Sequence, residues 1–111
     1  MTQSRKTLLQ GTLDALILKT LDQGPRHGYA IARWLGTATD DAIQVEEGSL
    51  YPALYRLERK GLLKAHWGRS ELDRRAKFYA LTEKGHLALE KEVQDWARLS
   101  AAVSSVLMGE T

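Results

Sequence analysis

A mostly helical chain with one small β-hairpin and a long closing helix is the fold class predicted by three features of these 111 residues. Apolar residues recur at three- and four-residue steps in four stretches, the spacing that gathers them on one side of an α-helix. Two strand-like runs, Leu63–Trp67 and Lys77–Leu81, flank a polar segment, Gly68–Ala76. After Thr82 a helical pattern continues toward Met108, a span of ~40 Å at the 1.5 Å rise of a helix.

Taken in order, Leu9, Leu13, Leu16, Ile17 and Leu21 form the buried stripe of a first helix between Thr7 and Asp22, and Gly24-Pro25 stops it. A second helix from Gly28 to Thr37 is expected to bury Tyr29, Ile31, Ala32 and Leu35. Asp40-Asp41 reads as a turn and Ile43-Gln44-Val45 as a short strand. A third helix opens at Gly48-Ser49, with Ser49 as N-cap, Pro52 in the first turn and Leu50, Leu54 and Leu57 inward. Gly61 ends it as a left-handed cap. Thr82 caps the last helix. This order divides the chain into a helical unit with a hairpin at 1–81 and a single helix at 82–111. Three helices followed by a β-hairpin form the winged helix-turn-helix arrangement.

Composition narrows the class. Hydrophobic residues make up 43% and charged residues 27%, as in soluble domains. No stretch reaches the ~18 apolar residues of a membrane span, and the first residues lack the apolar core of a signal peptide. Cysteine is absent, so disulfides and thiolate metal sites are excluded, which fits the cytoplasm. The net charge of +2 is unevenly spread. Residues 49–85 hold nine Lys/Arg against four Asp/Glu, while the segments before and after are slightly acidic. A basic middle third suits a polyanionic partner or a solvated basic face.

In a winged helix the third helix enters the major groove of double-stranded DNA and the hairpin follows the backbone. Here the inward leucines leave Tyr51, Pro52, Tyr55, Arg56 and Arg59 on the outer side of that helix. Tyr51 and Tyr55, four apart, are neighbours. Tyrosine hydroxyls can bond phosphate or base edges, and Arg56 can reach phosphate or fork onto guanine. The hairpin supplies Arg69, Arg74, Arg75 and Lys77, long cations suited to phosphate. His27, His66 and His86 lack metal-ligand spacing, so no metal or other cofactor is expected. No nucleophile–base arrangement or phosphate loop is present, which argues against an enzyme.

The runs Gly28-Tyr29-Ala30-Ile31, Glu46-Glu47-Gly48-Ser49-Leu50-Tyr51-Pro52-Ala53-Leu54-Tyr55-Arg56-Leu57-Glu58, Gly61-Leu62-Leu63 and Arg75-Ala76-Lys77-Phe78-Tyr79-Ala80-Leu81-Thr82-Glu83-Lys84-Gly85 resemble the PadR family of transcriptional regulators. The resemblance covers nearly the whole chain. It implies a winged helix-turn-helix homodimer that binds promoter palindromes, usually as a repressor released by a small molecule or stress. The short C-terminal region is similar to the subgroup with one C-terminal helix. By position, Ser49, Tyr51, Pro52, Tyr55 and Arg56 match the family's recognition helix, and Arg69, Arg74 and Arg75 its wing.

The long helix is expected to be the dimer element. Leu89, Val93, Trp96, Ser100, Val103 and Leu107 step by four and three residues, a coiled-coil-like seam flanked by Leu99 and Val106. Trp96 has two readings: an aromatic of the interface or, as the resemblance to drug-sensing members implies, the wall of a pocket for a flat aromatic effector. Trp34 and Trp67 are expected to pack on the second helix and the hairpin. A winged helix can also dock proteins rather than DNA, an alternative that steep salt dependence would separate from DNA binding.

Overall fold

A computed structural model describes the backbone of residues 2–109 and the side chains of residues 11–109. Its elements are α1 (Thr2–Thr20), β1 (Arg26–His27), α2 (Gly28–Ala38), α3 (Glu47–Arg59), β2 (Leu63–Arg69), β3 (Arg75–Leu81) and α4 (Glu83–Leu107). The strands form one antiparallel sheet in the order β1-β3-β2. Three helices with a hairpin and a long closing helix are what the periodicity predicts.

The core lies where α1, α2 and α3 meet the sheet. Ile17, Leu18 and Leu21 come from α1, Ile31 and Leu35 from α2, and Leu50, Ala53, Leu54 and Leu57 from α3, with Leu63, Tyr79 and Leu81 closing it from the strands. Leu13 and Leu16 pack at its edge, and Leu9 lies outside the described side chains.

Several expectations are corrected. Tyr29 is 61% exposed, because the core face of α2 runs through Ile31 and Leu35, four residues apart, and Tyr29 projects from the other side. Ile43–Val45 forms no strand. The Thr39 hydroxyl accepts from the Ile43 amide at 3.0 Å, a local bond that competes with any ladder. The third strand is instead Arg26–His27, paired with Tyr79 and Phe78. The third helix starts earlier than expected. Glu46 occupies its N-cap position without a side-chain cap bond, Ser49 lies within the first turn, and Pro52 is inside the helix. Lacking an N–H, Pro52 leaves the Gly48 carbonyl without its helical donor. The strands reach further than expected, so Arg69 and Arg75 are cross-strand partners and the wing loop shrinks to residues 70–74. Leu89, placed on the dimer seam by its spacing, is 6% exposed and belongs to this subunit's own core.

The end of α3 and the start of α4 form one joint. Gly61 adopts φ +78°, and the amides of Gly61 and Leu62 donate to Glu58 O at 3.0 Å and Leu57 O at 3.1 Å, a Schellman ending. The Thr82 amide then donates to Leu62 O at 3.1 Å. Its hydroxyl donates to Gly61 O at 2.7 Å and accepts from the Gly85 amide at 3.0 Å, capping α4 as expected. Lys84 Nζ donates to Lys60 O at 3.0 Å. Gly85 is obligatory here, since a Cβ at that position would stand 2.1 Å from Leu62 O.

Gly85→Ala is therefore expected to destabilise the fold by about 2–3 kcal/mol, as overpacking does. Gly48→Ala, where a Cβ meets nothing within 4 Å, should stabilise it by about 0.5–1 kcal/mol. Urea titrations of the two variants check both signs.

Candidate nucleic-acid interface

With its leucines inward, α3 presents Ser49, Tyr51, Pro52, Tyr55 and Arg59 to solvent. The Tyr51 ring rests on Gly28 of α2, where a Cβ would come within 2.7 Å of its hydroxyl oxygen. Arg59 lies over the Tyr55 ring, 5.6 Å from its centre, and donates to the Tyr55 hydroxyl at 3.1 Å. The pair thus presents a guanidinium braced on an aromatic ring, a platform suited to phosphate or a base edge.

Arg56 behaves differently. Its guanidinium donates to the Asp14 carboxylate of α1, with the two side chains 28% and 17% exposed. It ties α3 to α1 across the molecule and is half-buried rather than projecting with the tyrosines. Periodicity alone could not reveal this, because Asp14 sits among apolar residues of α1 and is 42 residues away in the chain.

The hairpin stands beside this face. Like charges at Arg69 and Arg75 oppose each other across the ladder, an unfavourable pairing unless each is engaged elsewhere. Arg69 donates to the Asp73 carbonyl at 3.2 Å, and Arg75 lies 4.7 Å above the exposed Trp67 ring. Trp67 thus sits on the hairpin as expected, while Trp34 packs against the core beneath Arg26. Arg74, at the loop's end, is exposed. Lys77 is drawn inward: Nζ donates to Glu58 Oε1 at 3.3 Å and lies over the Tyr79 ring. That Glu58 bond raises the lysine's pKa above its ordinary value, with burial opposing, and burial likewise raises the Tyr79 phenol.

Between wing and α3 runs an open cleft of about 510 Å³, walled by Tyr29, Tyr51, Trp67, Leu72 and Arg74. His27, which spacing gives no role, lies at its base and caps α2 by accepting from the Ala30 amide at 3.2 Å. Histidine is not among the usual N-cap residues, so nothing in the sequence marks it. Among the described residues no cluster of three or more His, Cys, Asp or Glu could hold a metal ion.

On α4, Val93, Trp96, Leu99, Val103, Val106, Leu107 and Met108 are all exposed in the single chain. Trp96 is 58% exposed. Ser100 is half-buried and donates to Ala97 O at 3.3 Å. Asp95, beside Trp96, is held by both Lys91 and Arg98 at 2.8 and 2.9 Å. The Lys91 bond foremost keeps its carboxyl below the usual range. Among the described residues no helix is long and apolar enough to cross a membrane.

Known proteins share this architecture. A transcriptional regulator from Clostridium thermocellum superposes with a TM-score of 0.80 at 27% identity, over 89% of this chain and 96% of that one. A PadR-like transcriptional regulator from Bacillus cereus gives a TM-score of 0.78 at 33% identity, over 94% and 99% of the two chains. Protein X of Lysinibacillus sphaericus is 29% identical over 105 residues, 95% of this chain and 96% of its own length. The model of the transcriptional regulator PadR-like family matches residues 17–91, from the core of α1 into α4. Winged-helix fold, motif order and family match agree: the chain belongs to the PadR-like family of transcriptional regulators.

Proposed function

We propose that this protein is a homodimeric repressor that binds a palindromic operator in double-stranded DNA. The observation that carries the reading is the exposed face of α3, where Tyr51, Tyr55 and Arg59 stand beside a hairpin ending in Arg74 and Arg75. The α3 helix enters the major groove, and the wing follows the sugar-phosphate backbone. Because Arg56 is engaged by Asp14, Arg59 is the α3 cation best placed to reach a base edge. Lys77 serves the sheet more than the DNA, since Glu58 already takes its charge.

The dimer forms through α4. From Val93 to its C-cap Met108 it carries seven large exposed apolar side chains, with no core of its own to cover them. A second copy of the helix covers them by pairing along the same stripe. Half-sites one helical turn apart, about 34–36 Å, then meet the two α3 helices. Trp96 on that stripe is where a flat aromatic effector would stack between subunits, and such a ligand acts only through a preference for one dimer geometry.

Val103→Glu combined with Leu107→Glu should yield monomers that bind DNA weakly. Sedimentation at micromolar concentration checks this, and a persistent dimer refutes it. For the DNA face, the protein selects its own duplex from a random pool, and affinities for that duplex and a scrambled one are compared across salt. Arg74→Ala should weaken both by similar factors and lower the salt slope by about 1. Arg59→Ala should cost about 1–3 kcal/mol more on the selected duplex than on the scrambled one. Equal losses on both would make Arg59 a phosphate contact. Recovery of no duplex from the pool would instead favour the protein-docking reading.

A further inference from the structure

The wing loop, residues 70–74, carries two carboxylates, Glu71 and Asp73, beside a single cation, Arg74, an awkward composition for a segment that faces phosphate. Both are engaged within the molecule. Asp73 Oδ1 lies 3.5 Å from Arg69. Glu71 Oε2 lies 3.4 Å from Nε2 of His27, a residue 44 positions earlier in the chain.

His27 is well fixed for this contact. It is 7% exposed, its backbone pairs with Phe78 of β3, and its ring meets the Phe78 ring edge-on at 5.3 Å. On its open side the ring stacks with Tyr29 at 6.5 Å. Because Nδ1 accepts from the Ala30 amide, it carries no proton, and in a neutral ring the proton must sit on Nε2. Nε2–H then donates to the Glu71 carboxylate. The cap therefore dictates the tautomer that the wing contact needs. A hydrogen bond from its own backbone, and next the one from His27, hold the Glu71 carboxyl below the usual carboxylate range, so the acceptor is charged.

We propose that His27 is a positioning residue for DNA contact: one ring nitrogen caps α2 while the other holds the wing loop, through Glu71, at a set distance from α3. The bond ties Glu71, whose side chain stays 63% exposed, to the fixed ring of His27, and so sets where Arg74, the loop's exposed cation, stands. This role rests on the DNA-binding reading above.

A charge-matched pair of variants separates positioning from simple electrostatics. Glu71→Gln and Glu71→Ala remove the same negative charge, but only glutamine still accepts from Nε2–H. His27→Asn keeps a capping side chain for α2 and is too short to reach Glu71. Without DNA, long-range ¹H–¹⁵N spectra should show His27 protonated at Nε2. Heteronuclear NOEs of Leu72–Arg74 should fall in Glu71→Ala and His27→Asn and stay at the wild-type level in Glu71→Gln. With DNA, Glu71→Ala should bind the selected and scrambled duplexes alike about two- to tenfold more weakly than the charge-matched Glu71→Gln, as expected for one lost hydrogen bond behind a phosphate-contacting wing. In the His27→Asn background the two Glu71 variants should bind equally. Equal wing mobility in the two Glu71 variants, or His27 protonated at Nδ1, removes the latch. A latch seen by NMR with equal duplex affinities in Glu71→Ala and Glu71→Gln removes its role in DNA contact. If the wild type binds no duplex, the DNA reading fails with that role, while the spectra still report whether the wing is held.

Discussion

The contact between the backbone of Leu62 and the first turn of α4 sets the geometry of everything that follows it. Leu62 O accepts the Thr82 amide and lies so close to Gly85 that no side chain fits between. Thr82 spends its hydroxyl twice, on the Gly61 carbonyl and on the Gly85 amide. Because Gly61 and Leu62 also complete the hydrogen bonding at the end of α3, the two helices share one set of carbonyls. The direction in which α4 leaves the domain is thereby tied to the orientation of α3. In a dimer built on α4, the spacing of the two DNA-facing helices becomes a property of this joint and not of flexible linkage.

Charge on the molecule is less available than the sequence count implies. Arg56 is engaged by Asp14, Lys77 by Glu58 and Arg69 by Asp73, so several cations of the basic middle third serve the fold first. Along α3 and the wing, Arg59 is braced on Tyr55, Arg75 on Trp67, and Arg74 stands exposed at the loop's end. The aromatic rings hold the first two in defined positions, which reduces the side-chain entropy lost when they meet a rigid duplex. In a dimer, two such sets of contacts on one duplex would reinforce each other through effective concentration.

The helices, the hairpin and the caps at Gly61 and Thr82 were legible because local rules govern them: periodicity, a left-handed glycine, a hydroxyl before a helix. The elements that escaped were decided by particular contacts that a pattern does not report, distant in sequence for one and local for the other. Arg26–His27 is a strand only because β3 passes beside it, and Ile43–Val45 is not one because Thr39 has already bonded its backbone. Leu89 fits the heptad spacing as well as Val93 does, and only the position of α1 and the sheet sends it to the core. At the candidate site the outward tyrosines and Arg59 follow from helical spacing. The diversion of Arg56 to Asp14 and the double use of His27 depend on tertiary neighbours that no pattern reports.

The distance between the two α3 helices in solution tests the coupling through the α3–α4 joint most directly. The chain contains no cysteine, so Ser49→Cys places one spin label on each subunit at the exposed start of α3. Pulsed electron–electron resonance of this protein, free of DNA, should give one narrow distribution near the one-turn spacing of about 34–36 Å. Adding Thr82→Val and Lys84→Ala, which cut the side-chain bonds of the joint, should broaden it while dimerisation through α4 persists. A missing inter-subunit distance, or a distribution of the same width with and without those bonds, would contradict the coupling of α4 to α3.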